Sequence, residues 1–155
     1  IFFYFAIVIF YNYSIAISPP NKLYIKDIEK GDGKTVSTER GTILKVFYSG
    51  WIFDKNSNER DFCKAKGKLF DTNYNKNTDL QSQVSNAFNF PIGVGKVIRG
   101  WDKGFGDIKI GGIRCIVTPP NFAYGSRNVG DIIPKNSTLI FEIKIVGFEK
   151  KIEKF

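Results

Sequence analysis

The run Pro91-Ile92-Gly93-Val94-Gly95-Lys96-Val97-Ile98-Arg99-Gly100-Trp101, continued by Asp102-Lys103-Gly104-Phe105, decides the fold. A glycine-punctuated turn delivers Val97, Ile98 and Trp101 at i, i+1 and i+4, and the i to i+4 step places two of them on one face of a short helix. The helix is expected over residues 99–107, weakened by Gly104 and Gly106. Residues 113–118 follow as a β-type run, and Pro119-Pro120 must end it, because proline cannot donate to a sheet ladder. Phe122 and Tyr124 then fall within three residues, just before Gly125. A tryptophan at a helix start and a tyrosine on a nearby loop predict an apolar, aromatic-lined cup holding one hydroxyl.

Outward from this stretch the signals are those of strands. Residues 23–30 alternate weakly and read as an edge strand, closed by the turn residues Gly31-Asp32-Gly33. In residues 42–53, Leu44, Val46 and Tyr48 share one face and Lys45, Phe47 and Ser49 the other. Gly50 inside that run predicts a bulge or a close backbone approach. Residues 88–92 alternate with Phe88 and Phe90 on one face. In residues 139–148, Leu139, Phe141, Ile143 and Ile145 alternate strictly with Ile140, Glu142, Lys144 and Val146. About five antiparallel strands and one short helix give an α+β fold, a half-barrel whose sheet curls around the helix. Between residues 54 and 87 the chain is rich in Asn, Lys, Asp and Ser, the composition of long surface loops. One apolar island, Leu69-Phe70-Asp71-Thr72, interrupts it.

Val97-Ile98-Arg99-Gly100-Trp101, Ala123-Tyr124-Gly125 and Ile132-Ile133-Pro134, in this order and spacing, resemble the FKBP-type peptidyl-prolyl cis-trans isomerases, the immunophilin domains that bind macrolides such as rapamycin. The similarity spans residues 23–149, and Phe70-Asp71 resembles the family's Phe-Asp pair. The resemblance implies catalytic positions at Tyr48, Phe70, Asp71, Ile98, Tyr124 and Phe141, and substrate-binding positions at Phe88, Val97, Trp101 and Ile133. Trp101 would be the floor under a proline ring, with Ile133 on a loop above. Tyr124 and the Ile98 N–H would hold carbonyls, and Asp71 would sit at the rim near Tyr48. The basic residue that often steadies this acid in the family is missing, since Asn73, Asn75 and Lys76 follow Asp71. Loops at residues 54–69 and 72–87 are longer than in a minimal member and are expected at the rim of the cup. The implied partners are proline-containing polypeptides and macrolides, and the implied state is a monomer.

Composition limits the chemistry. The 155 residues contain no histidine, which removes histidine-based acid–base catalysis and nucleophile activation and most zinc sites. Gly93-Val94-Gly95 fails the dinucleotide fingerprint because Ile98 occupies the third glycine position. No cofactor or metal is expected. Cys63 and Cys115 lack metal-ligand spacing; they form either one disulfide tying the insertion to residues 113–118 or two free thiols. Asn136-Ser137-Thr138 is a glycosylation sequon, relevant only in a eukaryotic secretory pathway.

The net charge of +8 lies entirely after Pro20. A basic surface and the alternating Lys64, Lys66 and Lys68 leave a nucleic-acid-binding class open, but a solvated lysine-rich surface is the favoured explanation, and nucleic acid is not an expected partner. A non-catalytic peptide-binding module is the other alternative to an active isomerase. Residues 1–18 are apolar with scattered polar residues, a length that suits a secretory signal better than a membrane span. A cleaved signal, hence a secretory or endomembrane lumen, is expected, and a retained anchor is the alternative. With no methionine in the chain, residue 1 is not expected to be an initiator. Residues 19–22 read as a linker and 150–155 as a short basic tail.

Overall fold

Strict alternation in the last apolar run builds the centre of a sheet. In the computed structural model, which describes residues 16–74 and 86–150, six strands lie antiparallel: β1 (Tyr24–Glu29), β2 (Ile43–Phe53), β3 (Lys66–Thr72), β4 (Phe88–Pro91), β5 (Ile113–Thr118) and β6 (Leu139–Glu149). Their order is β1-β5-β6-β2-β3, with β4 also paired to β2. The 11-residue β2 carries β4 along its first half and β3 along its second. The sheet is left open and curls around the helix α1 (Arg99–Lys103). The leader reading of residues 1–18 and the basic tail lie almost wholly outside the described residues.

Leu44, Val46, Ile116, Phe141, Ile143 and Ile145 point inward and pack against Trp101 and Phe105 as one buried cluster. Burying a large apolar side chain stabilises by about 1.5–3 kcal/mol, so the period-2 pattern of β2 and β6 dictates which face receives the helix. Gly50 fulfils both expectations placed on it. The pairing with β3 shifts register there, and a Cβ at Gly50 would stand 2.6 Å from the ring of Phe70.

The open curled sheet is as expected, with one strand beyond the five or so read from the sequence, because residues 66–72 form one. Its lysine-rich composition reads as loop, yet it is an edge strand with largely exposed side chains, and nothing about burial forces an apolar pattern there. The helix stops at Lys103, not near 107. Gly104 packs against Ile116, where a Cβ would come within 2.4 Å of the Ile116 side chain. The buried Arg114 guanidinium then donates to the carbonyls of Gly104 (2.9 Å) and Gly106 (2.6 Å) and is itself held by both oxygens of Asp27. Carbonyls left over at a helix end need partners, and here one arginine supplies them.

The insertion is also not a rim feature in its first part. Cys63 and Cys115 form a disulfide. With Phe53, Ala65, Val117 and Ile140 they make a second buried cluster, on the face of the sheet opposite the helix, flanked by Trp51, Phe62, Tyr24 and Ile17. Lys26 of β1 adds an ion pair to Asp61 (2.5 Å) that lowers the Asp61 pKa and raises that of Lys26. Residues 75–85 of the second expansion lie outside the described residues.

Gly100 brings α1 so near β5 that a Cβ would meet Thr118 at 2.4 Å. The Thr118 hydroxyl is buried there with no hydrogen-bond partner among the described residues. A buried, unpaired polar group costs about 1–3 kcal/mol. Thr118→Val keeps the shape and removes that cost, so urea unfolding should show the variant more stable by about 1 kcal/mol. Equal or lower stability would mean that the hydroxyl is satisfied.

Candidate functional site

The open end of the curled sheet leaves a cavity of about 210 Å³ lined by Tyr48, Phe70, Asp71, Phe88, Lys96, Val97, Ile98, Trp101, Tyr124 and Phe141. The side chains arrive from several elements. Tyr48 and Phe141 extend the inward faces of β2 and β6, Phe70 and Asp71 end β3, and Phe88 begins β4. Trp101 stands on α1, while Lys96, Val97 and Ile98 form the turn that enters it.

That turn is fixed by Asp102. Its two carboxylate oxygens accept the N–H groups of Gly93 and Gly95, each at 2.9 Å. Both glycines have φ +74°, a conformation that non-glycine residues rarely adopt. The Gly-x-Gly signal therefore serves an internal carboxylate. Ile98 caps the helix, and its carbonyl accepts the N–H of Trp101 at 2.9 Å and of Asp102 at 3.2 Å.

Trp101 is buried among five rings, Tyr48, Phe88, Phe90, Phe105 and Phe141, with centroids 5.1 to 6.2 Å away. Four of these contacts are edge-on, the geometry aromatic quadrupoles favour. Phe70 meets Phe141 edge-on at 5.7 Å. The indole N–H has no acceptor among the described residues. The same ring lines the cavity.

The polar groups are few. Tyr48 donates its hydroxyl to Asp71 at 2.5 Å. Burial, then the Asp71 hydrogen bond and charge, raises the Tyr48 pKa well above the ordinary phenol value. Burial foremost, then the Asp71 charge, also raises that of Tyr124. Both phenols thus keep their protons at neutral pH and remain donors. Where a basic residue was looked for after Asp71, Asn73 accepts the Tyr48 backbone N–H at 2.7 Å and donates to the Val46 carbonyl at 3.2 Å. It ties the end of β3 to β2 and so holds Asp71 beside Tyr48.

Nine of the ten residues singled out in the sequence meet in this cavity. Ile133 does not. It is buried in the main core and pairs with Val129 through a backbone bridge, leaving Ile132 as the exposed neighbour. Neither isoleucine of the pair lines the cavity, and a lone pair of apolar residues carries no period to orient it. Lys96 lines the cavity without having been singled out. Its position immediately before Val97 was the available signal.

The family model of the FKBP-type peptidyl-prolyl cis-trans isomerases matches residues 34–146. The chain is 39% identical to FK506-binding protein 1A of Neurospora crassa over 127 residues, 82% of this chain and 88% of that protein. It is 34% identical to FK506-binding protein 2 of Dictyostelium discoideum over 134 residues, 86% of each. The FK506-binding protein of Neisseria meningitidis serogroup A is 34% identical over 124 residues, 80% of this chain and 94% of that protein. This chain belongs to the FKBP-type peptidyl-prolyl cis-trans isomerases. The isomerase presents an aromatic cavity with a protonated phenol pair and one carboxylate, and no nucleophile is needed for bond rotation. Of the alternating lysines, Lys66 is committed to Glu142 and lies 4.2 Å over the Trp51 ring.

Proposed function

We propose that this isomerase rotates X–Pro bonds inside the aromatic cavity, with the proline ring on Trp101 between Tyr48, Phe88, Val97 and Phe141. The barrier, about 18–20 kcal/mol, arises from amide resonance. Resonance makes the planar amide more dipolar than the twisted one, and water favours the planar form. A dry aromatic enclosure therefore raises the ground state relative to the twisted state, and fit to the twisted amide adds differential binding. The Tyr124 hydroxyl has no partner among the described residues, nor does the Ile98 N–H. Both are donors with nothing to donate to, and they are assigned to carbonyls of the substrate. Asp71, held by Tyr48, orients the amide.

The observation that carries this reading is the convergence of Tyr48, Asp71, Trp101 and Tyr124 on one cavity. A protease-coupled proline-peptide assay tests it. Losing one neutral hydrogen bond is worth about 0.5–1.5 kcal/mol, so Tyr124→Phe should lower kcat/KM by about two- to tenfold. Asp71→Ala should cost at least as much, since it also leaves the Tyr48 hydroxyl unpaired. Wild-type rates in both variants would refute the cavity as the site of catalysis.

The same reading extends to partners and place. Proline-containing polypeptides are the substrates, and assistance to their folding is the role. The similarity to FK506-binding proteins supports FK506-type macrolides as competitors for the cavity, checked by titrating rapamycin or FK506 into the assay. The apolar residues 1–18 support action in a secretory or endomembrane lumen. So does the Cys63–Cys115 disulfide, a bond that persists in oxidising compartments.

A further inference from the structure

Lys96 is the only cation on the cavity wall, and its side chain is exposed and pairs with no carboxylate among the described residues. The acid of the adjoining helix and the acid of the cavity lining are already engaged. Asp102, on α1, gives one oxygen to each of the Gly93 and Gly95 N–H groups. Asp71, which lines the same cavity, accepts the Tyr48 hydroxyl. Beside Lys96 the chain leaves room, because nothing stands within 4 Å of a Cβ built on Gly95. An ammonium with no local counter-ion, next to the Val97–Ile98 wall and to open space, attracts whatever anion a bound chain brings to that side.

We propose that Lys96 makes this isomerase favour proline bonds flanked on one side by a carboxylate side chain over those flanked by the neutral amide of the same shape. The proposal rests on the cavity being where the proline binds. Asp71 lines the same cavity and repels a flanking carboxylate that comes close to it, so the preference is expected at only one of the two flanking positions. An exposed ion pair contributes up to about 1 kcal/mol. Two pairs of peptides, Glu or Gln immediately before proline and Glu or Gln immediately after it, isolate the charge from size and shape.

At low salt the wild-type kcat/KM should favour Glu over Gln by about two- to fivefold at one of the two positions. The ratio should fall to about one in Lys96→Gln, invert in Lys96→Glu, and shrink in the wild type as salt screens the pair. Taking the ratio within each variant cancels any general change in turnover or folding. A wild-type ratio of one at both positions, or a preference that survives in Lys96→Gln, overturns the proposal and leaves the cavity reading intact. Full activity in Tyr124→Phe and Asp71→Ala on all four peptides removes the cavity reading, and the proposal with it.

Discussion

Replacing Cys63 and Cys115 together by serine lowers the unfolding free energy by about 4 kcal/mol, while isomerase activity measured in the cold is retained. The size follows from chain entropy. The bond joins residues 52 apart in sequence, and in the loop-closure description a bridge of that span restricts the unfolded chain by about 4 kcal/mol. Domains of this kind have only about 5–15 kcal/mol to lose, and the melting temperature should drop on the order of 10 °C. Retention of activity follows from position. Cys115 faces the cluster of Phe53, Cys63, Ala65, Val117 and Ile140, on the side of the sheet away from the indole. Calorimetry of oxidised and reduced wild type, alongside the double serine variant, makes the comparison. Equal melting temperatures would mean that the Phe62, Trp51 and Tyr24 packing and the Lys26–Asp61 pair already hold the insertion in the unbridged protein.

That second cluster also marks where the sequence stopped being informative. The inward face of β6 was legible because Leu139, Phe141, Ile143 and Ile145 form an unbroken apolar row at period 2 while the other row carries Glu142 and Lys144, and β2 was legible through Leu44 and Val46 set against Lys45 and Ser49. Ile140 did not fit as a solvent-facing residue, and its burial depends on an insertion whose own composition reads as loop. Phe62, Cys63 and Ala65 are too scattered among Asp, Lys and Arg to show a period, so only tertiary contact reveals them. The cavity was legible through order and spacing of whole motifs. Val97, Ile98 and Trp101 sit on a turn that Asp102 fixes locally, and their relation survives any error in the strands around them. The burial of Ile133 and the place of Lys96 on the cavity wall were not legible for a common reason. Which loop residue faces a cavity depends on the loop's dihedral angles, and those go here with the Val129–Ile133 bridge and the glycine turn at positions 93 and 95.

Trp101→Ala is expected to be the most damaging single change, and it should act on stability and catalysis separately. The indole is buried against five rings, and truncating a buried Trp or Phe to Ala costs about 3–5 kcal/mol through lost transfer energy and the void left behind. Such a variant is only marginally folded, so Trp101→Leu is the informative partner. Leucine refills part of the space and restores much of the stability, but it cannot offer a flat surface toward the cavity. A favourable aromatic contact is worth about 0.5–1.5 kcal/mol beyond its buried area. If that contact is stronger for the twisted amide than for the planar one, kcat/KM falls up to about tenfold in Trp101→Leu. The fall should lie in kcat rather than KM, because an interaction made equally with both states would change binding alone. Unfolding curves identify the folded fraction, and the peptide assay is then normalised to it. A fully folded Trp101→Leu enzyme with wild-type kcat would show that the indole fills the core and takes no part in holding the rotating bond. Catalysis would then have to come from the Tyr124 hydroxyl and the Ile98 N–H with the remaining walls, a division that Tyr124→Phe in the leucine background measures directly.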